Sequence, residues 1–118
     1  MRRIQQTMGL LTGRGEKALI AYVVGGFPSL ELTADMIISL ADNGADIIEI
    51  GVPFSDPVAD GPVIQSASSQ ALERGATLSG ILETVSRVRD RCKAPLVLMS
   101  YYNPILQMGL ASFCRAAV

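Results

Sequence analysis

The sequence predicts an α/β fold built on a parallel sheet, and three observations carry that expectation. Short β-branched apolar segments alternate in chain order with segments of helical period. The strand-like segments are apolar at consecutive positions and not only at alternate ones, as in sheets covered on both faces. Each is bounded by Gly, Pro or Asn, and the intervening helical segments suit right-handed crossovers between parallel neighbours. Two architectures satisfy this pattern: a doubly wound open sheet and a (β/α)8 barrel.

Taken in order, the elements narrow the choice. Ile4, Met8 and Leu11 form a helical stripe ahead of the first strand, which suits a helix closing the bottom of a barrel. Residues 18–24 read as the first strand. The strand ends in Val24-Gly25-Gly26-Phe27-Pro28, which is not the G-x-G-x-x-G fingerprint of a dinucleotide site, so the nucleotide-binding open sheet loses its best support. Ser29 caps a helix whose apolar positions are Thr33, Met36, Ile37, Leu40 and Ala41, and Gly44 stands where a left-handed stop is wanted. Residues 46–52 form the second strand. Pro62 suits a first helical position, with Ile64, Ala67, Ala71 and Leu72 on one face and Gly75 as the stop. Thr77 caps the next helix, whose stripe is Leu78, Ile81, Val85 and Val88, and the positive charge of Arg87, Arg89, Arg91 and Lys93 suits its C-terminal dipole. Residues 95–102 form the third strand, and residues 109–118 the opening turns of another crossover helix. A complete barrel of this kind takes about 250 residues. The 118 residues present would then be less than half of one.

Composition bounds the function. Ten Lys and Arg against eleven Asp and Glu, evenly mixed, give no reason to expect nucleic acid or an anionic membrane surface as a partner. No apolar run approaches the roughly 18 residues of a membrane span, and Gln5, Gln6 and Thr7 interrupt any signal-like region after Met1-Arg2-Arg3, so the expected location is cytoplasmic. With no histidine in the chain, and with Cys92 and Cys114 at no paired spacing, zinc, disulfide and histidine-triad readings lose their support. The two thiols are expected to be free, and no metal is expected.

The carboxylates of residues 46–62, DIIEIGVPFSDPVADGP, are the unusual feature. Alternation along a strand puts Ile48, Ile50 and Val52 on one face and Ile47, Glu49 and Gly51 on the other. If the first face meets the helices, Glu49 points into the barrel near the C-terminal end of its strand, where barrel enzymes place catalytic groups. A carboxyl group buried there is held above its usual range and can both give and take a proton near neutral pH. The bland alternatives are a Glu49 on a solvent face, an Asp60 that caps the helix after Asp-Gly-Pro, and an Asp56 that serves only its turn.

Residues 49–65, EIGVPFSDPVADGPVIQ, resemble the signature of tryptophan synthase alpha subunits. The resemblance extends to ALIAYVVGGFP at 18–28, Gly44-Ala45-Asp46, and MSYYNP at 99–104, and so covers nearly the whole chain. It implies that residues 1–118 are the N-terminal segment of a single (β/α)8 domain. The implied enzyme is a lyase of tryptophan biosynthesis that cleaves indole-3-glycerol phosphate to indole and glyceraldehyde 3-phosphate. It further implies that Glu49 and Asp60 are catalytic: Asp60 draws on the indole N–H, while Glu49 protonates the ring carbon and helps remove the proton of the neighbouring hydroxyl. Tyr22, Met99 and Tyr101 would line the indole pocket. Pro53, Asp56, Pro57 and Asn103 would lie on loops facing a beta subunit, in a heterotetramer of two alpha and two beta chains, with pyridoxal phosphate on the beta subunit alone. Phe27 departs from the acidic residue common at its place. The family's phosphate-binding loops belong to the last barrel strands, so this segment alone is expected to be inactive. The competing readings are a self-associating partial barrel without catalysis and another phosphate-handling barrel enzyme.

Overall fold

The computed structural model describes residues 2–118. Three strands, β1 (Ile20–Val24), β2 (Ile47–Gly51) and β3 (Leu96–Met99), form one parallel sheet in the order β1-β2-β3. The helices are α1 (Arg2–Gly13), α2 (Leu30–Asp42), α3 (Pro62–Glu73), α4 (Leu78–Val88), α5 (Tyr102–Met108) and α6 (Leu110–Ala116). Register places Tyr22 beside Glu49 and Val24 beside Gly51, while Glu49 faces Val97 and Gly51 faces Met99 across the other ladder. These rows define the shared face on which the site is built.

The opposite face makes the main core. Ile48, Ile50 and Val52 of the β2 segment cluster with Ile37 of α2 and with Leu78, Ile81, Leu82 and Val88 of α4. Ile37, Ile48, Ile50 and Ile81 are completely buried, and burying a side chain of that size stabilises by about 1.5–3 kcal/mol. The alternation read from the sequence is therefore realised, with Ile48 and Ile50 toward the helices and Glu49 on the other face. The caps also form as expected. Ser29 Oγ accepts from the Leu32 amide at 3.2 Å, and Thr77 Oγ1 accepts from the Gly80 amide at 3.1 Å. Thr33, an apolar-stripe position in the sequence reading, is buried because its hydroxyl is satisfied: it donates to Ser29 O at 2.7 Å and accepts from the Gly26 amide at 2.9 Å.

A second, smaller cluster sits over the C-terminal end of β1. Val24, Ala71 and Ala76 are buried there, with Tyr22, Phe27, Ile64 and Ala67 packed around them. Helix α3 thus covers the mouth side of the sheet, leaving α2 and α4 to form the outer layer. Phe27 is accommodated in this cluster as an apolar residue.

Three expectations change. The strands are shorter than the apolar runs, and the third stops at Met99, because Tyr101 is the N-cap of α5 and Tyr102 its first residue. In α1, Ile4, Thr7 and Leu11 are half-buried, whereas Met8 faces outward with 41% exposure. Helix α1 shares a cavity with Arg89, Asp90, Cys92 and Lys93, just ahead of β3, which places it at the N-terminal end of the sheet. There the Arg89 guanidinium donates to Cys92 O, and to Ala94 O at 2.8 Å, closing the turn that feeds β3. Both cysteines are free, Cys92 buried and Cys114 exposed. Among the described residues no helix is long and apolar enough to cross a membrane.

Candidate functional site at the mouth of the sheet

A cavity of about 250 Å³ opens at the C-terminal end of the strands. Its walls come from β1 (Tyr22), the residues just after β2 and β3 (Val52, Ser100, Tyr101), the end of β3 (Met99), the acidic loop (Ala59, Asp60) and α3 (Ser68). Four residues singled out in the sequence, Tyr22, Asp60, Met99 and Tyr101, therefore meet in one place. Glu49 does not line the cavity itself. It lies beneath, in register with Tyr22 and two residues below Gly51 on the same face.

Gly51 makes room for this arrangement. A Cβ added there would stand 2.6 Å from Tyr22 Cζ and closer still to the hydroxyl, so the Tyr22 ring lies across β2 at the one residue with no side chain. The ring is thereby brought up toward the acidic loop. Burial holds the Tyr22 hydroxyl above the ordinary phenol range, and the carboxylates of Asp60 and then Glu49 push it further the same way. At neutral pH Tyr22 is therefore an uncharged hydroxyl.

The carboxylates differ from their expected settings. Glu49 is half-buried and not enclosed. Asp60 is also half-buried, and it is not the helix cap: Gly61 holds the N-cap position of α3, with no side-chain hydrogen bond. The Asp60 carboxylate makes no hydrogen bond among the described residues; only its backbone is engaged, its carbonyl accepting from the Gln65 side chain and its amide donating to Pro57 O. Asp60 lines the cavity with that carboxylate unpaired among the described residues.

Of the residues expected on the outer loops, Asp56 is exposed and accepts from Ser55 Oγ at 2.7 Å, and Pro57 is half-buried. Pro53 is buried and offers little surface to a partner. Asn103 lies in the first turn of α5 and not in a loop, though it is exposed. The sequence reading missed Gln65 and Ser68. Ser68 had a signal, a polar side chain four residues after Ile64 and three before Ala71 on an apolar stripe, and it is buried at the cavity wall. Among the described residues no cluster of metal-ligating side chains occurs.

Comparison with known proteins identifies the family of the chain. The family model described as tryptophan synthase alpha chain matches residues 8–118. The tryptophan synthase alpha chain of Geobacter sulfurreducens is 52% identical over 117 residues, covering 99% of this chain and 44% of that protein. The corresponding chain of Carboxydothermus hydrogenoformans is 50% identical over 117 residues, with the same coverages of 99% and 44%. Among solved structures, tryptophan synthase subunit alpha of Legionella pneumophila superposes with a TM-score of 0.94 at 40% identity, over 98% of this chain and 44% of that one. The chain thus spans less than half the length of the relatives it matches, and its parallel β/α units are a partial (β/α)8 barrel. On sequence and structure together, the chain belongs to the tryptophan synthase alpha chain family.

Proposed function

We propose that this chain supplies the catalytic carboxylates of a carbon–carbon lyase that cleaves indole-3-glycerol phosphate to indole and glyceraldehyde 3-phosphate when the barrel is complete. The observation that carries the reading is an Asp60 whose carboxylate has no hydrogen bond among the described residues and which lines a mouth cavity together with Tyr22, the register partner of Glu49. A retro-aldol cleavage needs proton movement at two places, and two carboxylates in different surroundings supply it. Asp60 draws the proton from the indole N–H as Glu49, deeper on β2, protonates the ring carbon; Glu49 then helps remove the hydroxyl proton as the carbon–carbon bond breaks, and the bond's electron pair returns to the ring while Asp60 gives the proton back to nitrogen. Tyr22 and Tyr101 give the cavity aromatic lining and Met99 an apolar chain, the groups that an indole ring would use. The chemistry uses no cofactor on this chain. The exposed carboxylate of Asp56, with Pro57 and Asn103, offers polar surface on the same end for a beta subunit that carries pyridoxal phosphate.

Indole release by the complete barrel carrying this segment tests the reading. Glu49→Gln is expected to lower turnover by about 10²–10⁴, the range for a lost proton-transfer group. Asp60→Asn is expected to reduce turnover while leaving the circular dichroism spectrum unchanged, since Asp60 caps nothing. Near-normal turnover in Glu49→Gln would remove Glu49 from the mechanism.

A further inference from the structure

An aspartate that must meet a ring N–H has to be held in place, yet the Asp60 side chain has no hydrogen-bond partner among the described residues. Its position is therefore set by the backbone of the loop between β2 and α3. Inside that loop the Val58 amide bonds to Asp56 O at 2.9 Å and the Asp60 amide to Pro57 O at 3.0 Å. Those bonds tie the loop only to itself. Two side chains tie it to the scaffold. The Tyr101 hydroxyl accepts from the Ala59 amide at 2.9 Å, one residue before Asp60. The Tyr101 ring also lies against Phe54 at the start of the loop, with centroids 5.1 Å apart. From the other side, Gln65 Nε2 donates to Asp60 O at 2.9 Å and to Pro57 O at 3.4 Å.

We propose that Tyr101 and Gln65 are positioning residues for Asp60, holding the acidic loop from the β3 side and from α3 respectively. Tyr101 is suited to this because it stands two residues after β3, with extended backbone at the N-cap of α5, so its hydroxyl is referred to the sheet that also carries Glu49. Gln65 is suited because it lies in the Pro62-initiated first turns of α3, whose later residues pack on Val24 and Tyr22. The two carboxylates are thereby kept at a fixed offset through rigid elements, although one of them sits on a loop. The proposal rests on the reading of Asp60 as a proton-handling group, and it gives Tyr101 a role beyond lining an indole pocket.

The test uses Tyr101→Phe and Gln65→Met in the full-length protein that carries this segment. Tyr101→Phe keeps the ring against Phe54 and the cavity wall while removing the acceptor for Ala59; Gln65→Met keeps the length and removes both donations. In Tyr101→Phe the Ala59 amide is expected to exchange hydrogen roughly five- to tenfold faster, with the Ile50 amide of β2 unchanged. In both variants kcat is expected to fall about tenfold or more, with KM changed by less than about twofold, because a displaced catalytic group harms the transition state more than ground-state binding. An unchanged Ala59 exchange rate in Tyr101→Phe would overturn the clamp. Faster exchange with unchanged kcat would overturn the positioning role, and a raised KM at constant kcat would make Tyr101 a substrate contact only. If the parent protein released no indole at all, the lyase reading would fail and the catalytic half of the proposal with it; Ala59 exchange would still decide whether the clamp exists.

Discussion

Gly51 and Tyr22 form a steric pair in which each explains the other. Glycine weakens a strand, and its presence inside β2 makes sense where another group must approach the backbone closely. Here that group is the Tyr22 ring, which crosses β2 at Gly51 and reaches the neighbourhood of Asp60. Gly51→Ala is expected to displace the ring and to destabilise the protein by about 1–3 kcal/mol, the usual cost of overpacking. Combining it with Tyr22→Leu should recover much of that loss, since residues in direct contact do not add. Thermal unfolding of the two single variants and the double variant measures the coupling, and strict additivity would show that the two residues do not compete for space. The same pair shows the limit of reading residues singly. Period-2 alternation placed Glu49 and Gly51 on one face, and the family resemblance added Tyr22, but nothing in the sequence says that the ring leans over the glycine.

At the scale of elements, what was legible followed from local chemistry, and what was not followed from tertiary placement. The caps at Ser29 and Thr77, the breaks after Gly44 and Gly75 and the core stripe of α4 are all set by neighbours in sequence, and all appear. The end of β3 was misplaced because Tyr101 and Tyr102 have good strand propensity, which the start of α5 overrides. That α3 covers the mouth while α4 takes the outer layer depends on close approach, as where Gly26 meets the Ala76 methyl, and periodicity does not report it. The candidate site was legible as residue types along one motif; its scaffold contacts, Ala59 to Tyr101 and Asp60 to Gln65, join positions of unrelated period and were not. Within the acidic loop, Asp56 differs from Asp60 in that its side chain is exposed and bonded only to Ser55. If that carboxylate serves a beta subunit, Asp56→Ala in the full-length protein should weaken activation by the beta subunit more than basal cleavage. Equal losses in the two assays would assign Asp56 to the local turn.

The whole molecule has a covered outer face and an open inner one. Helices α2 and α4 shield one side of the sheet, but β1 and β3 each have a neighbour on one edge only, and Leu19, Ile20 and Met99 are each at least half exposed. Unpaired strand edges beside apolar surface favour association with another chain. The mouth cavity, lined by Tyr22, Val52, Ala59, Asp60, Ser68, Met99, Ser100 and Tyr101, has no Lys or Arg to hold a phosphate. Binding energy from a remote anionic group is what keeps a substrate over its catalytic residues, so well-placed carboxylates alone are insufficient. The 118-residue chain expressed by itself is therefore expected to elute in gel filtration well above its 12.5 kDa mass and to release no indole from indole-3-glycerol phosphate. On the proposed function, joining it to the remaining strands of a full-length relative should restore both a dispersed state and cleavage, because the added strands would cover the edges and bring the phosphate contacts that the family resemblance implies. A 12.5 kDa monomer that released indole at the rate of a full barrel would contradict both parts of this expectation, by showing that neither the open edges nor the missing cationic contacts matter.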